Sequence, residues 1–208
     1  MISRMFRLVA SASLVACLLS ACSGSGAGQA EPSSHFTLDF WAVPAGDAGE
    51  REALTARHVL ENGSEVGLTL DPGKLHVYVV YQDAEGALEV LHSGEDTKGG
   101  AVALLPPGAA LDDQAGHERF CVLASVERLH DLELAIEEFR SDPTGAREKL
   151  LAEVSALRDR HESQESEPPR PVTIGGQVRG ESPNAPVPTA REYPVAGVRC
   201  HTITLEHR

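Results

Sequence analysis

Nine histidines and four cysteines are the side chains of this 208-residue sequence with the widest choice of chemistry. Their spacing limits that choice. No His-Glu-x-x-His or Cys-x-x-Cys brings two ligands to one ion, so no metal site is expected, and no pattern implies a cofactor. His201 and His207 share one face of an alternating stretch, about 20 Å apart by strand rise, too far to hold a metal alone. His76 and His92 flank a turn and could meet across a hairpin. A surface or half-buried role is the commoner reading of all these histidines.

Nucleophiles are equally sparse. No Gly-x-Ser-x-Gly is present. Ser125 closes an apolar stretch, but Ala124 and Val126 replace the glycines that a nucleophile elbow requires, and a helix N-cap suits it better. Cys121 has His117 nearby, yet its apolar neighbours favour a core or disulfide role. The acidic pairs Glu95-Asp96, Asp112-Asp113 and Glu137-Glu138 read as solvated surface, since adjacent side chains diverge. The loop Ser93 to Gly100 lacks the alternating acids of an EF-hand. A sugar platform of Trp41, Tyr78 and Tyr81 competes with ordinary core roles for the tyrosines. No catalytic residue is assigned.

The most specific pattern lies at the start. Met1 to Arg7 is positive through Arg4 and Arg7, and Leu8 to Leu19 is an apolar run too short to span a bilayer. Leu19-Ser20-Ala21-Cys22 follows. This whole pattern resembles the signal peptide and lipobox of bacterial lipoproteins. The resemblance implies removal of residues 1–21 and lipidation of Cys22, and two or three acyl chains hold a protein stably at a membrane. Ser23, in place of an Asp, leans toward the outer membrane. Residues 22–34 (SGSGAGQAEPSS after the cysteine) form a flexible Gly/Ser tether. Its glycines make no phosphate loop, because no strand precedes them and no Lys-Ser/Thr follows.

Charge supports an anchor of this kind. The full chain carries −13. Removing Arg4 and Arg7 leaves 16 basic against 31 acidic residues, or −15. Such a surface argues against nucleic acid and against docking on anionic headgroups, so lipid must supply the attachment. Cys17 would leave with the signal peptide and Cys22 would be acylated. That leaves Cys121 and Cys200 in strand-like contexts within an oxidising compartment. Neighbouring strands joined by a Cys121–Cys200 disulfide are expected, with two buried thiols as the alternative.

Residues 35–208 are expected to form one α+β domain, mainly an antiparallel β sandwich or partly closed barrel with a C-terminal helical hairpin packed on it. His35 to Val43 alternates, as does Glu65 to Leu70; Leu75 to Gln82 is the strongest β stretch, and Ala87 to His92 returns from it as part of a meander. Ala101 to Leu105 is stopped by Pro106-Pro107, and Arg119 to Ser125 is a buried strand. A helical segment spans about 126–161, with Asp142-Pro143 starting its second helix. A Pro-rich loop at about 167–194, with a possible strand at Val172 to Val178, leads to a final strand, Gly197 to His207.

The order of motifs from Leu60 to Ser125 is also similar to an uncharacterised β-rich domain of bacterial envelope and signalling proteins, sometimes found beside kinase or caspase-like domains. The resemblance rests on Val77-Tyr78-Val79-Val80-Tyr81, Leu88-Glu89-Val90-Leu91, Gly99 to Pro106 and Gly116-His117-Glu118 leading to Cys121. That family has no established catalytic residues to carry over. The expected function is a non-enzymatic binding or interaction module, lipid-anchored in the cell envelope beside a protein partner. The alternatives are an envelope hydrolase or carbohydrate-active protein, and a periplasmic domain regulating a neighbouring signalling protein.

Overall fold

The computed structural model describes residues 34–46, 49–94, 99–110, 115–161, 170–172 and 188–207. The lipobox, Cys22, the tether before Ser34, Glu95-Asp96, Asp112-Asp113 and most of the Pro-rich loop lie outside them. Eleven strands and two helices are described: β1 Ser34–Val43, β2 Glu52–Ala53, β3 Arg57–Leu60, β4 Glu65–Asp71, β5 His76–Gln82, β6 Leu88–Gly94, β7 Val102–Ala110, β8 Gly116–Ser125, α1 His130–Ser141, α2 Arg147–His161, β9 Arg170–Pro171, β10 Arg191–Val195 and β11 Val198–His207. The chain is α+β, with two sheets and a helical pair.

Three layers result. The outer sheet runs β7-β4-β1-β10-β9, with β2 also on β1; the middle sheet runs β3-β11-β8-β5-β6. Alternation in β1 explains its place. Phe36, Leu38, Phe40 and Ala42 point inward and are buried, while His35, Thr37 and Asp39 face out. The middle sheet is apolar on both faces, because both are covered. In β5, Val77 and Val79 join the core between the sheets, and Tyr78 and Val80 join a second core beneath the helices. In β8 the same division separates Phe120, Val122 and Ala124 from Cys121 and Leu123. Leu132, Ala135, Ile136 and Phe139 of α1, with Leu150, Val154 and Leu157 of α2, complete the second core. Their spacing of three and four residues is one helix face.

Several local expectations change. Glu65 to His92 is not a meander: β4 belongs to the outer sheet and β5 to the middle one, and only β5–β6 is a hairpin. The turn Pro72–Leu75 carries the chain between layers, closed by the Leu75 N–H on the Pro72 carbonyl. β7 does not stop at Pro106. Among the described residues it pairs with β4 alone, and its register there jumps from Leu105 to Ala109, so the prolines sit in a bulge where no ladder donor is needed. Helix α1 starts at His130 rather than Val126. Ser125 does not cap it; its hydroxyl accepts the Glu127 N–H, a local turn before the helix. Asp142-Pro143 does not start α2, which begins at Arg147; Asp142 is the C-cap of α1, and its carboxylate accepts the Gly145 N–H at 2.9 Å in the turn between the helices.

Cys121 and Cys200 lie on paired strands, β8 and β11, and face the helices together. They are not disulfide-bonded in the structure. The register gives the reason: Cys200 opposes Leu123 and Cys121 opposes Thr202, a diagonal placement. Diagonal neighbours stand roughly 7–8 Å apart, beyond the usual disulfide span.

Candidate functional site

The site that gathers most polar chemistry is a cleft between α1 and the end of the β5–β6 hairpin. Its volume is about 340 Å³, and His76, Ser93, Gly94, Arg128, Glu133, Glu137 and Arg140 line it with the buried Ile136. Each element delivers its residues by a simple rule. His76 shares the helix-facing side of β5 with Tyr78, two residues on. Ser93 opposes Tyr78 across the hairpin and shares that side. On α1, Glu133, Glu137 and Arg140 are three and four apart, one face of a helix.

A hydrogen-bonded knot forms the inner wall. The buried Tyr78 hydroxyl donates to Glu133 Oε1 at 2.8 Å and accepts the Leu129 N–H at 3.2 Å. Arg128 donates to both Glu133 oxygens, through Nε and Nη2. The Arg128 guanidinium therefore holds the Glu133 carboxyl below its ordinary range, against the opposing effect of desolvation and with help from Tyr78. Burial pushes the Tyr78 hydroxyl up to about 12, and its bond to Glu133 adds to this while the Leu129 N–H works against it. The knot also fixes the first turn of α1, since Glu133 N–H bonds the Leu129 carbonyl.

The outer wall is less committed. Arg140 donates to Ser93 Oγ at 2.9 Å. Among the described residues, His76 Nδ1 is buried with no hydrogen-bond partner, and Glu137 makes no side-chain ion pair. A His, a Ser and two acids thus share one cleft, and among the described residues no hydrogen bond links His76 Nδ1 to Ser93, Glu133 or Glu137. Ser93 accepts from Arg140, and Glu133 is held by Arg128 and Tyr78. Arg140 and Glu137, three residues apart on α1, present opposite charges to the cleft.

Other candidates disperse. His76 faces the helices, whereas His92 opposes Val79 and faces the core between the sheets, so the two do not meet. His201 and His207 share the inner face of β11 with different partners. His201 Nε2 lies 3.4 Å from the Tyr193 hydroxyl, and His207 Nε2 lies 3.5 Å from Glu118 in a buried pair. Trp41, Tyr78 and Tyr81 point into three different layers and form no platform. Trp41 lies on the outer sheet against Gly67, with the Arg51 guanidinium 4.0 Å above its ring. Tyr81 packs on Phe120 between the sheets. Among the described residues no group of three or more His, Cys, Asp or Glu is placed to hold a metal ion, and no helix is long and apolar enough to cross a membrane.

The cleft was hard to find in the sequence, because its residues come from four separate stretches. The one available signal was the period-2 offset of His76 from Tyr78 beside the Glu/Arg face of α1. The fold and cleft together define a two-sheet β sandwich covered on one face by a helical pair, with a polar cleft between helix and sheet. No protein-family model, no curated protein and no solved structure matches the chain.

Proposed function

We propose that this chain is a lipid-anchored lipoprotein of the bacterial cell envelope, held at the outer membrane through Cys22, and that its domain binds another envelope protein rather than catalysing a reaction. The observation that carries the reading is the run from a positive start through a short apolar stretch to Leu19-Ser20-Ala21-Cys22. The acidic composition supports it, because a chain of net charge −13 gains nothing from anionic lipid and needs a covalent anchor.

Two features favour binding over turnover. In the cleft, Arg140 holds Ser93, Arg128 and Tyr78 hold Glu133, and His76 Nδ1 has no hydrogen-bond partner among the described residues, so no base is bonded to the Ser93 hydroxyl. In addition, β6 is the outer strand of the middle sheet, paired only with β5 among the described residues. A strand edge of this kind accepts an extended segment of a partner through main-chain hydrogen bonds.

The test is Cys22→Ala. It is expected to abolish incorporation of labelled fatty acid and to release the protein from the membrane fraction. Unchanged membrane retention would refute the anchor. Cross-linking in intact cells should then recover an envelope protein with the lipidated form; turnover of a substrate with no partner recovered would favour the hydrolase alternative.

A further inference from the structure

We propose that the pole of the domain at which β1 begins rests on the membrane, and that the α1–β6 cleft takes up the headgroup of a phospholipid bearing a phosphate and a primary ammonium, with the phosphate on Arg140 and Ser93 and the ammonium on Glu137. This rests on the lipid-anchored reading of Cys22 and adds an orientation to it.

Topology carries the first half. Ser34, the first residue of β1, opposes Val195 at the end of β10. The two-residue link to Val198 brings β11 in at the same pole, where Val198 opposes Ser125. Ser125 opposes His76, and Val77 opposes Gly94, so β5 begins and β6 ends there too. The cleft lined by His76, Ser93 and Gly94 therefore opens at the pole where the tether attaches. From Cys22 to Ser33 the tether is twelve residues, giving a Gly/Ser-rich chain a typical end-to-end reach of about 20 Å. Even fully extended such a link spans about 40 Å, so the pole stays near the lipid and the effective headgroup concentration is raised enough for a weak site to be occupied.

Chemistry carries the second half. Arg140 keeps donors beyond the one spent on Ser93, the Ser93 hydroxyl can still donate, and the buried His76 Nδ1 lines the same wall. Glu137, one turn before Arg140, supplies the opposite charge for an ammonium. Glu133 does not compete, because Arg128 and Tyr78 already satisfy it. A cleft of about 340 Å³ has room for a phosphoethanolamine group. The charge of the chain selects the lipid class: an anionic headgroup would be repelled by the acidic domain, whereas a zwitterion is not. Val126, 50% exposed, stands at this pole with its N–H on the Gly197 carbonyl, an apolar contact for the headgroup boundary.

The experiment is flotation of the unlipidated mature chain, residues 22–208 with Cys22→Ala, with three kinds of vesicle. These are phosphatidylcholine alone, phosphatidylcholine with phosphatidylethanolamine, and phosphatidylcholine with phosphatidylglycerol. Recovery is expected to be highest with phosphatidylethanolamine, because a quaternary ammonium cannot donate a hydrogen bond to Glu137. Arg140→Gln and Glu137→Gln, both at exposed positions, should each weaken that preference about tenfold, the loss of one charged contact. Excess soluble glycerophosphoethanolamine should compete. Equal recovery on all three vesicles, an unchanged preference in both variants, or no competition overturns the proposal. Loss of the acyl anchor is read separately by fatty-acid labelling, so failure of one proposal is distinguishable from failure of the other.

Discussion

Tyr78→Phe isolates the knot that joins the middle sheet to α1. The ring stays in the helix-side core and only the hydroxyl is lost, with its bonds to Glu133 at 2.8 Å and from the Leu129 N–H at 3.2 Å. A hydrogen bond to a charged group contributes about 1.5–3 kcal/mol. Glu133 retains Arg128, which lowers its share, but the Leu129 N–H is left without its acceptor beside an apolar ring. The net loss should be about 2 kcal/mol, read as a lower urea midpoint at neutral pH with an unchanged slope. The alkaline limb gives an independent check. The folded-state value of Tyr78, about 12, lies above its unfolded value of 10.0. The hydroxyl's contribution is therefore fully present below pH 10 and is lost as pH rises through about 12. Each decade corresponds to about 1.4 kcal/mol, and partial solvent screening reduces the total to on the order of 1–2 kcal/mol. The parent chain should lose that much stability across this range and Tyr78→Phe should not. Equal urea midpoints, or the same alkaline loss in both proteins, would refute the role given to this hydroxyl.

Two further outcomes follow from other layers. Gly67→Ala places a Cβ 2.3 Å from the Trp41 ring, so the indole must move from beneath Arg51; a loss of about 1–3 kcal/mol is expected. As the chain's one tryptophan, Trp41 should shift its emission to the red, and unchanged emission would contradict the close packing. For the cysteines, labelling of the unfolded, unreduced lipidated protein should find two thiol equivalents, as the diagonal register implies. A count of zero would show that β8 and β11 slide to close the bond.

How much of this was legible beforehand differs by layer. The outer sheet's β1 was readable because one of its faces is wet, and His35 to Val43 alternates accordingly. The middle sheet's strands were visible as apolar runs such as Leu75 to Gln82, but periodicity cannot assign partners to a strand that is apolar on both faces. The β4–β5 connection was misassigned for that reason: a turn between two strands looks the same whether it makes a hairpin or crosses between sheets. Pro106-Pro107 read as a stop because the sequence does not mark β7 as an outer strand with a bulge.

The sequence by itself determined the α+β class, the helical pair, the β8–β11 neighbourhood of the cysteines and the lipobox pattern on which the proposed address rests. The class, the helical pair and the lipobox are local signals, written in residues close together in the chain; the β8–β11 neighbourhood was inferred from two strand-like cysteine contexts far apart in it. Only the tertiary structure decided that His76 and His92 face opposite ways and that Cys121 and Cys200 sit diagonally. It alone brought His76, Ser93, Glu137 and Arg140 into one cleft at the pole where β1 begins. Register and layer order fix those relations, and both depend on burial of surfaces distant in sequence, which no local pattern encodes.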